Sequence, residues 1–118
     1  MQELIERIAA AAGIDAATAE KSVGMILAFL KNEAPAAEMG QLLQAIPGAE
    51  QAASAAAATG GAGPGGIMGL AGQLTGAGLG MGEMQAVGKE LFAYGREKAG
   101  EDTVGGIAGA VPGLSQFI

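Results

Sequence analysis

Large apolar residues in the first half of the chain recur every three or four positions, which is the spacing of one face of an α-helix. They outline three successive helices: Leu4, Ile5, Ile8 and Ala12; Ala19, Val23, Ile26 and Leu30; Met39, Leu42, Leu43 and Ile46. Gly13 is a natural helix stop and Asp15 a natural N-cap, so the second helix is predicted to run from Asp15 to Glu33. Pro35 and Pro47 then open a third and a fourth helix.

The second half of the chain shows the same succession with more glycine. A short helix is predicted at 67–74, a loose glycine-rich segment at 76–82 and a long helix at 83–98. Asp102 is a candidate N-cap for the next helix, and a short terminal helix is predicted at 112–118. The apolar face of that next helix consists of Val104, Ile107, Ala108 and Val111. No segment alternates polar and apolar residues as a strand does, so the predicted class is all-α.

The two halves also align with each other. Displacing the sequence by 65 positions places Gly13–Gln51 on Gly78–Gln116 without a gap. Many aligned pairs keep their chemical type: Ile26 and Leu91, Leu27 and Phe92, Phe29 and Tyr94, Lys31 and Arg96, Ile46 and Val111. Repetition of this kind indicates an architecture built from two similar units.

The predicted fold is therefore a compact helical bundle of two quasi-repeats within one domain of 118 residues. The first repeat is placed at 1–59 and the second at 67–118, and each has a long helix, a short helix, a Pro-Gly step and a terminal helix. The glycine-rich segment 60–66 is interpreted as the linker between them. The two long helices are expected to pack centrally, with pseudo-two-fold symmetry.

Composition narrows the range of functions. The net charge is −6, which disfavours nucleic acid as a partner and disfavours anionic lipid surfaces. The chain has no Cys and no His, so thiol chemistry is absent and the commonest general base and metal ligand are missing. We therefore predict a protein that is not an enzyme, with no catalytic residue, no metal site and no cofactor.

Glycine motifs allow two interpretations. Gly61, Gly63 and Gly66 match the G-x-G-x-x-G dinucleotide fingerprint, but helix rather than strand is predicted before them, so linker is preferred. Pairs such as Gly72 and Gly76 have the G-x-x-x-G spacing of closely packed helices. We interpret that spacing as close packing in a soluble bundle, and the alternative is a membrane-associated helical protein.

Other candidate groups have structural interpretations. Glu101 and Asp102 are read as a helix cap and a partner of the helix dipole rather than as a cation site. Ser22 has no His to activate it. Tyr94 and Arg96, with Phe29 and Lys31 at the aligned positions, are read as the edge of a buried helix rather than as an exposed aromatic and cationic patch.

The preferred function is a non-enzymatic interaction or structural module that self-associates, with exchange of one repeat between two chains as one form of dimer. The alternatives are membrane association and a carrier that holds a small apolar ligand between the repeats. The candidate ligand or interface residues are Met25, Phe29, Met84 and Leu91. The amino-terminal residues lack a signal-peptide pattern, so the predicted compartment is the cytoplasm, or the periplasm if a leader was removed.

The run Glu101–Leu114 ends in Ala-Val-Pro-Gly-Leu after a long helix and a short helix. In this pattern the chain resembles small uncharacterised bacterial helical proteins, a domain of unknown function of the VcgC/VcgE type. The resemblance covers the second half well and the first half as a diverged copy. It implies a small helical protein and no established activity or site.

Overall fold

The computed structural model describes residues 2–58 and 66–111, and every regular element in these two ranges is an α-helix. The helices are α1 (Gln2–Ala12), α2 (Ala16–Glu33), α3 (Ala36–Ala45), α4 (Ala49–Ala58), α5 (Gly66–Gly76), α6 (Met81–Ala99) and α7 (Glu101–Ala110). The all-α class expected from the sequence is confirmed. The linker expected at 60–66 and the terminal helix expected at 112–118 lie outside the described residues, except that Gly66 is the first residue of α5.

The boundary between α1 and α2 follows the expected local chemistry. Gly13 has φ of 69°, a left-handed conformation that glycine adopts without a steric penalty. The carboxylate of Asp15 accepts the backbone N–H of Thr18 at 2.7 Å, so Asp15 is the N-cap of α2. This hydrogen bond lowers the pKa of Asp15. At the other end, α2 finishes at Glu33, directly before the Ala34-Pro35 pair.

Two helices in the second half differ from the expected bounds. Helix α5 continues past 74 to Gly76, because the buried residues Leu70 and Leu74 anchor it on the core. Helix α6 begins at Met81, earlier than expected, because the carboxylate of Glu83 accepts the backbone N–H of Gly80 at 2.7 Å. Only a short connection therefore separates the two helices, where a longer loose segment was expected.

One continuous apolar core holds the helices together, and every helix contributes to it. The largest fully buried side chains are Phe29, Phe92, Leu4, Ile8, Leu27, Leu30, Ile46, Leu79, Leu91 and Ile107. Helices α2 and α6 touch each other, and each also contacts four further helices. The two long helices therefore form the centre, and α2 is buried almost all round between Ser22 and Leu30.

Close backbone approaches occur at two glycines inside the long helices. A Cβ built on Gly24 of α2 would lie 2.8 Å from the carbonyl oxygen of Ala52 in α4. A Cβ built on Gly95 of α6 would lie 3.0 Å from Leu42 Cδ1 and 3.2 Å from Val104 Cγ2. Glycine at position 24 thus lets α2 approach the backbone of α4 more closely than any larger residue would. At position 95 it leaves room for the side chains of Leu42 and Val104.

The glycines with G-x-x-x-G spacing behave differently. A Cβ on any of Gly72, Gly76, Gly105 or Gly109 would meet no neighbouring atom within 4 Å. The interpretation of this spacing as close helix packing is therefore wrong at these four positions. They are exposed, so a side chain there would project into open space.

Candidate functional site

An open groove lies between α2 and α4, beside the point where the two helices meet. The meeting point is tight, because the Cβ position of Gly24 is 2.8 Å from the Ala52 carbonyl oxygen and 3.3 Å from Ala56 Cβ. Small residues on both helices leave the surface next to this contact recessed. The resulting groove has a volume of about 300 Å³.

The groove combines an apolar floor with two opposite charges. Its lining residues are Ala17, Glu20, Lys21, Gly24, Met25, Ala52, Ala55 and Ala56. Met25 is the only large apolar side chain among them, and it is half-buried. Glu20 and Lys21 are exposed, and neither forms an ion pair within the described part of the chain. The surface is therefore uncharged in its middle and carries one carboxylate and one ammonium group at its edge.

The four residues predicted as a ligand or interface site divide into two groups. Phe29, Met84 and Leu91 are buried in the core, with 2 %, 4 % and 2 % of their surfaces exposed. Met25 packs against the same core and also reaches the groove. The sequence marks Met25 because it is a large apolar residue outside the predicted apolar stripe of α2, which consists of Ala19, Val23, Ile26 and Leu30.

The other groove residues had no sequence signal of their own. Gly24 interrupts no pattern, and the alanines of α4 read as an ordinary helical segment. Only the crossing of α2 over α4 gives Gly24, Ala52 and Ala56 a common surface.

A polar cluster joins α1 to α6. Arg7 donates to the Glu97 carboxylate at 2.9 Å and to the Glu90 carboxylate at 3.4 Å. The hydrogen bond to Glu97 is the largest cause of a raised Arg7 pKa. Two cations lie near the Tyr94 ring, with Arg7 Cζ and Lys98 Nζ each 5.4 Å from its centroid. These partners tie α1 to α6, so we assign the cluster a structural role.

Tyr94 and Phe29 are 4 % and 2 % exposed, so their interpretation as the edge of a buried helix is confirmed. The cations next to Tyr94 are Arg7 and Lys98, whereas Arg96 belongs to the rejected alternative of an exposed aromatic and cationic patch. The sequence could not show this, because Arg7 reaches Tyr94 only through the packing of α1 on α6.

The remaining polar candidates have local partners. Ser22 is fully buried, and its hydroxyl donates to the Thr18 carbonyl oxygen one turn earlier at 2.8 Å. Asp102 was expected to cap α7, but this is wrong, since Gly100 is the N-cap and Asp102 lies inside the first turn. The negative charges of Asp102 and Glu101 still interact favourably with the positive N-terminal end of the α7 dipole.

Residues 2–58 and 66–111 contain neither a candidate metal-binding cluster nor a candidate membrane-spanning helix. No group of three acidic side chains in these ranges could hold a metal ion. No helix there combines the length and the apolar character needed to cross a membrane. Among the side chains that the structure describes, Met68 on α5 and Met81 at the start of α6 are large, apolar and exposed, at 75 % and 60 %.

Comparison with known proteins adds no relative: no family model matches the chain, and neither a curated protein nor a solved structure has significant similarity to it. The resemblance of Glu101–Leu114 to VcgC/VcgE-type proteins stays a prediction.

Proposed function

We propose that this protein is a non-enzymatic helical interaction module that self-associates. The observation that supports the proposal most directly is the groove between α2 and α4. Its floor consists of Ala and Gly with one Met, and such small residues let another helix approach closely. Met adapts its shape to different neighbours and is common at binding surfaces.

We also propose the two-repeat architecture as the basis of this module. Helices α2 and α3 begin and end 65 positions before α6 and α7, to within one residue. Gly13 and Gly78, which are aligned by the same displacement, both have positive φ, at 69° and 101°. Helix α1 has its most extensive contact with α6, and α5 has its most extensive contact with α2.

The contacts of α1 with α6 and of α5 with α2 support a second form of self-association. In the two-repeat scheme, each first helix packs on the long helix of the other repeat. If two chains exchanged these contacts, the same surfaces would be buried between copies instead of within one copy, as in a swapped dimer.

Sedimentation velocity of the purified chain tests self-association directly. The sedimentation coefficient should rise with protein concentration between about 1 and 500 µM, the range expected for a modest interface. A swapped dimer would differ by exchanging slowly, since the chains must partly unfold to separate. A single monomer species over the whole range would contradict the proposal.

A carrier of a small apolar ligand is the second candidate, with the ligand in this groove of the first repeat rather than between the repeats, and the volume of the groove favours it. About 300 Å³ is at the lower end of ligand sites, which span roughly 300–1,000 Å³. Native mass spectrometry of the protein as purified from cells should then show a bound small molecule that Met25→Ala reduces. Detection of the bare chain alone would contradict the carrier function and leave self-association standing.

A further inference from the structure

We infer that the occupant of the groove between α2 and α4 is the same groove of a second copy, related by a two-fold axis. In this arrangement Glu20 of each copy pairs with Lys21 of the other. The inference rests on the proposed self-association and assigns it a surface. It also explains why two exposed, opposite charges lie at the edge of an otherwise apolar groove.

The first step of the argument is the charge pattern of the groove edge. Glu20 and Lys21 are neighbours on α2, and adjacent residues of a helix point in different directions and do not pair with each other. Neither has an ion-pair partner among the described residues. In a two-fold contact, if Glu20 of one copy meets Lys21 of the other, then Lys21 of the first copy meets Glu20 of the second. One acid and one base on each copy therefore form two identical ion pairs.

The second step concerns the charge of the whole chain. With a net charge of −6, two copies repel each other at long range, so a contact is favoured where the surface is locally neutral. The edge of the groove, with one carboxylate and one ammonium group, meets this condition. Helix α5 also exposes a neutral surface around Met68, but it has no charge to select a partner or fix a register. The groove is therefore favoured over α5.

The third step is the shape of the surface. Ala17 and Ala52 add little bulk, so the backbones of two copies can approach closely over the groove. Met25 is half-buried and has a flexible side chain, so it can fill the space between the two apolar floors. Since the contact is confined to this groove, we expect a weak dimer compared with a standard interface of roughly 800 Å² per partner.

Charge reversal tests the cross pairs. Lys21→Glu should raise the dissociation constant about tenfold, since both ion pairs become like-charge contacts. Glu20→Lys should raise it by a similar factor, although this variant reduces the net negative charge. Combining both substitutions in one chain restores the pairs and should return the dissociation constant to near that of the unmodified protein. An equimolar mixture of the two single variants should associate more tightly than either alone.

Matched controls separate these effects from net charge and folding. Lys31→Glu on the same helix changes the net charge as Lys21→Glu does, and Glu33→Lys matches Glu20→Lys. All four positions are exposed on α2, and Lys and Glu both favour helix, so circular dichroism should show unchanged helicity. The control variants should keep the dissociation constant within about twofold of the unmodified protein.

The outcomes distinguish a wrong choice of interface from a failure of the proposed self-association. If the unmodified protein dimerises but Glu20→Lys associates as well as Glu33→Lys, the groove is the wrong surface, and self-association still stands. If the doubly substituted chain or the mixture fails to recover, cross pairing is wrong. If the unmodified protein is monomeric throughout, both the surface and the proposed function fail.

Discussion

Replacing Gly24 by Ala should destabilise the protein, although alanine normally favours a helix. The new Cβ would lie 2.8 Å from the Ala52 carbonyl oxygen and 3.3 Å from Ala56 Cβ. The first of these atoms belongs to the backbone of α4 and cannot rotate away. Helix α4 must therefore move outward, which would loosen the buried contacts of Ala49 and Ala53 with the core.

The expected change in the free energy of unfolding is the sum of two opposing contributions. Overpacking a tight contact costs about 1–3 kcal/mol. Exchanging Gly for Ala inside a helix returns about 1 kcal/mol. Gly105→Ala in α7 is the matched control, because a Cβ there would meet nothing within 4 Å and only the favourable term remains. The difference between the two variants therefore isolates the contact of α2 with α4, at about 2 kcal/mol.

Urea unfolding followed by circular dichroism measures this difference in a chain that has no tryptophan. The midpoint should fall for Gly24→Ala and rise for Gly105→Ala, with the denaturant dependence unchanged in both. The measurement should be made at low protein concentration, where the proposed weak dimer would dissociate. A difference below about 0.5 kcal/mol would contradict the close contact of α2 with α4, since distant surface changes already vary by that much.

Two further substitutions test other parts of the fold. The Thr18 hydrogen bond lowers the pKa of Asp15, so the stabilisation it provides is present above the ordinary Asp pKa and is lost as pH falls through the lowered value. The stability advantage over Asp15→Asn, measured by thermal unfolding, should vanish in acid, and a difference independent of pH would refute this reasoning. Thr103→Val removes the 2.7 Å hydrogen bond from the Thr103 hydroxyl to Gln41 Oε1, which joins α7 to α3, and should cost about 1 kcal/mol. Thr75→Val is its control, because Thr75 is exposed and bonds within its own helix, and equal losses in the two valine variants would argue against the contact of α3 with α7.

Signals that act within one helical turn were readable from the sequence. Gly13, Asp15 and Pro35 act through their own backbone or through a partner three residues away, so they predicted the bounds of α2 correctly. The same local chemistry also set the start of α6, where Glu83 bonds back to Gly80. This start was not predicted, because the glycines before Glu83 are typical of a loose segment.

Features that depend on how helices cross could not be read in this way. Phe29 lies outside the predicted apolar stripe of α2, Ala19, Val23, Ile26 and Leu30, yet it is buried. A single stripe assumes that a helix is covered on one side, whereas α2 is surrounded by neighbours. The groove arises from residues of α2 and α4 that meet only after α3 has turned the chain back. For the same reason, G-x-x-x-G spacing alone did not identify Gly24 and Gly95, which lie at close contacts between helices.

Cross-linking through a single introduced cysteine is the most direct test of the claim that two copies meet at the groove between α2 and α4. The natural chain has no cysteine, so Ala17→Cys at the groove and Gln85→Cys on the exposed face of α6 each provide one thiol. With a short bismaleimide, Ala17→Cys should give a covalent dimer whose yield rises with protein concentration, and Gln85→Cys should give little. Equal yields from the two variants, or no dimer from Ala17→Cys, would contradict the account.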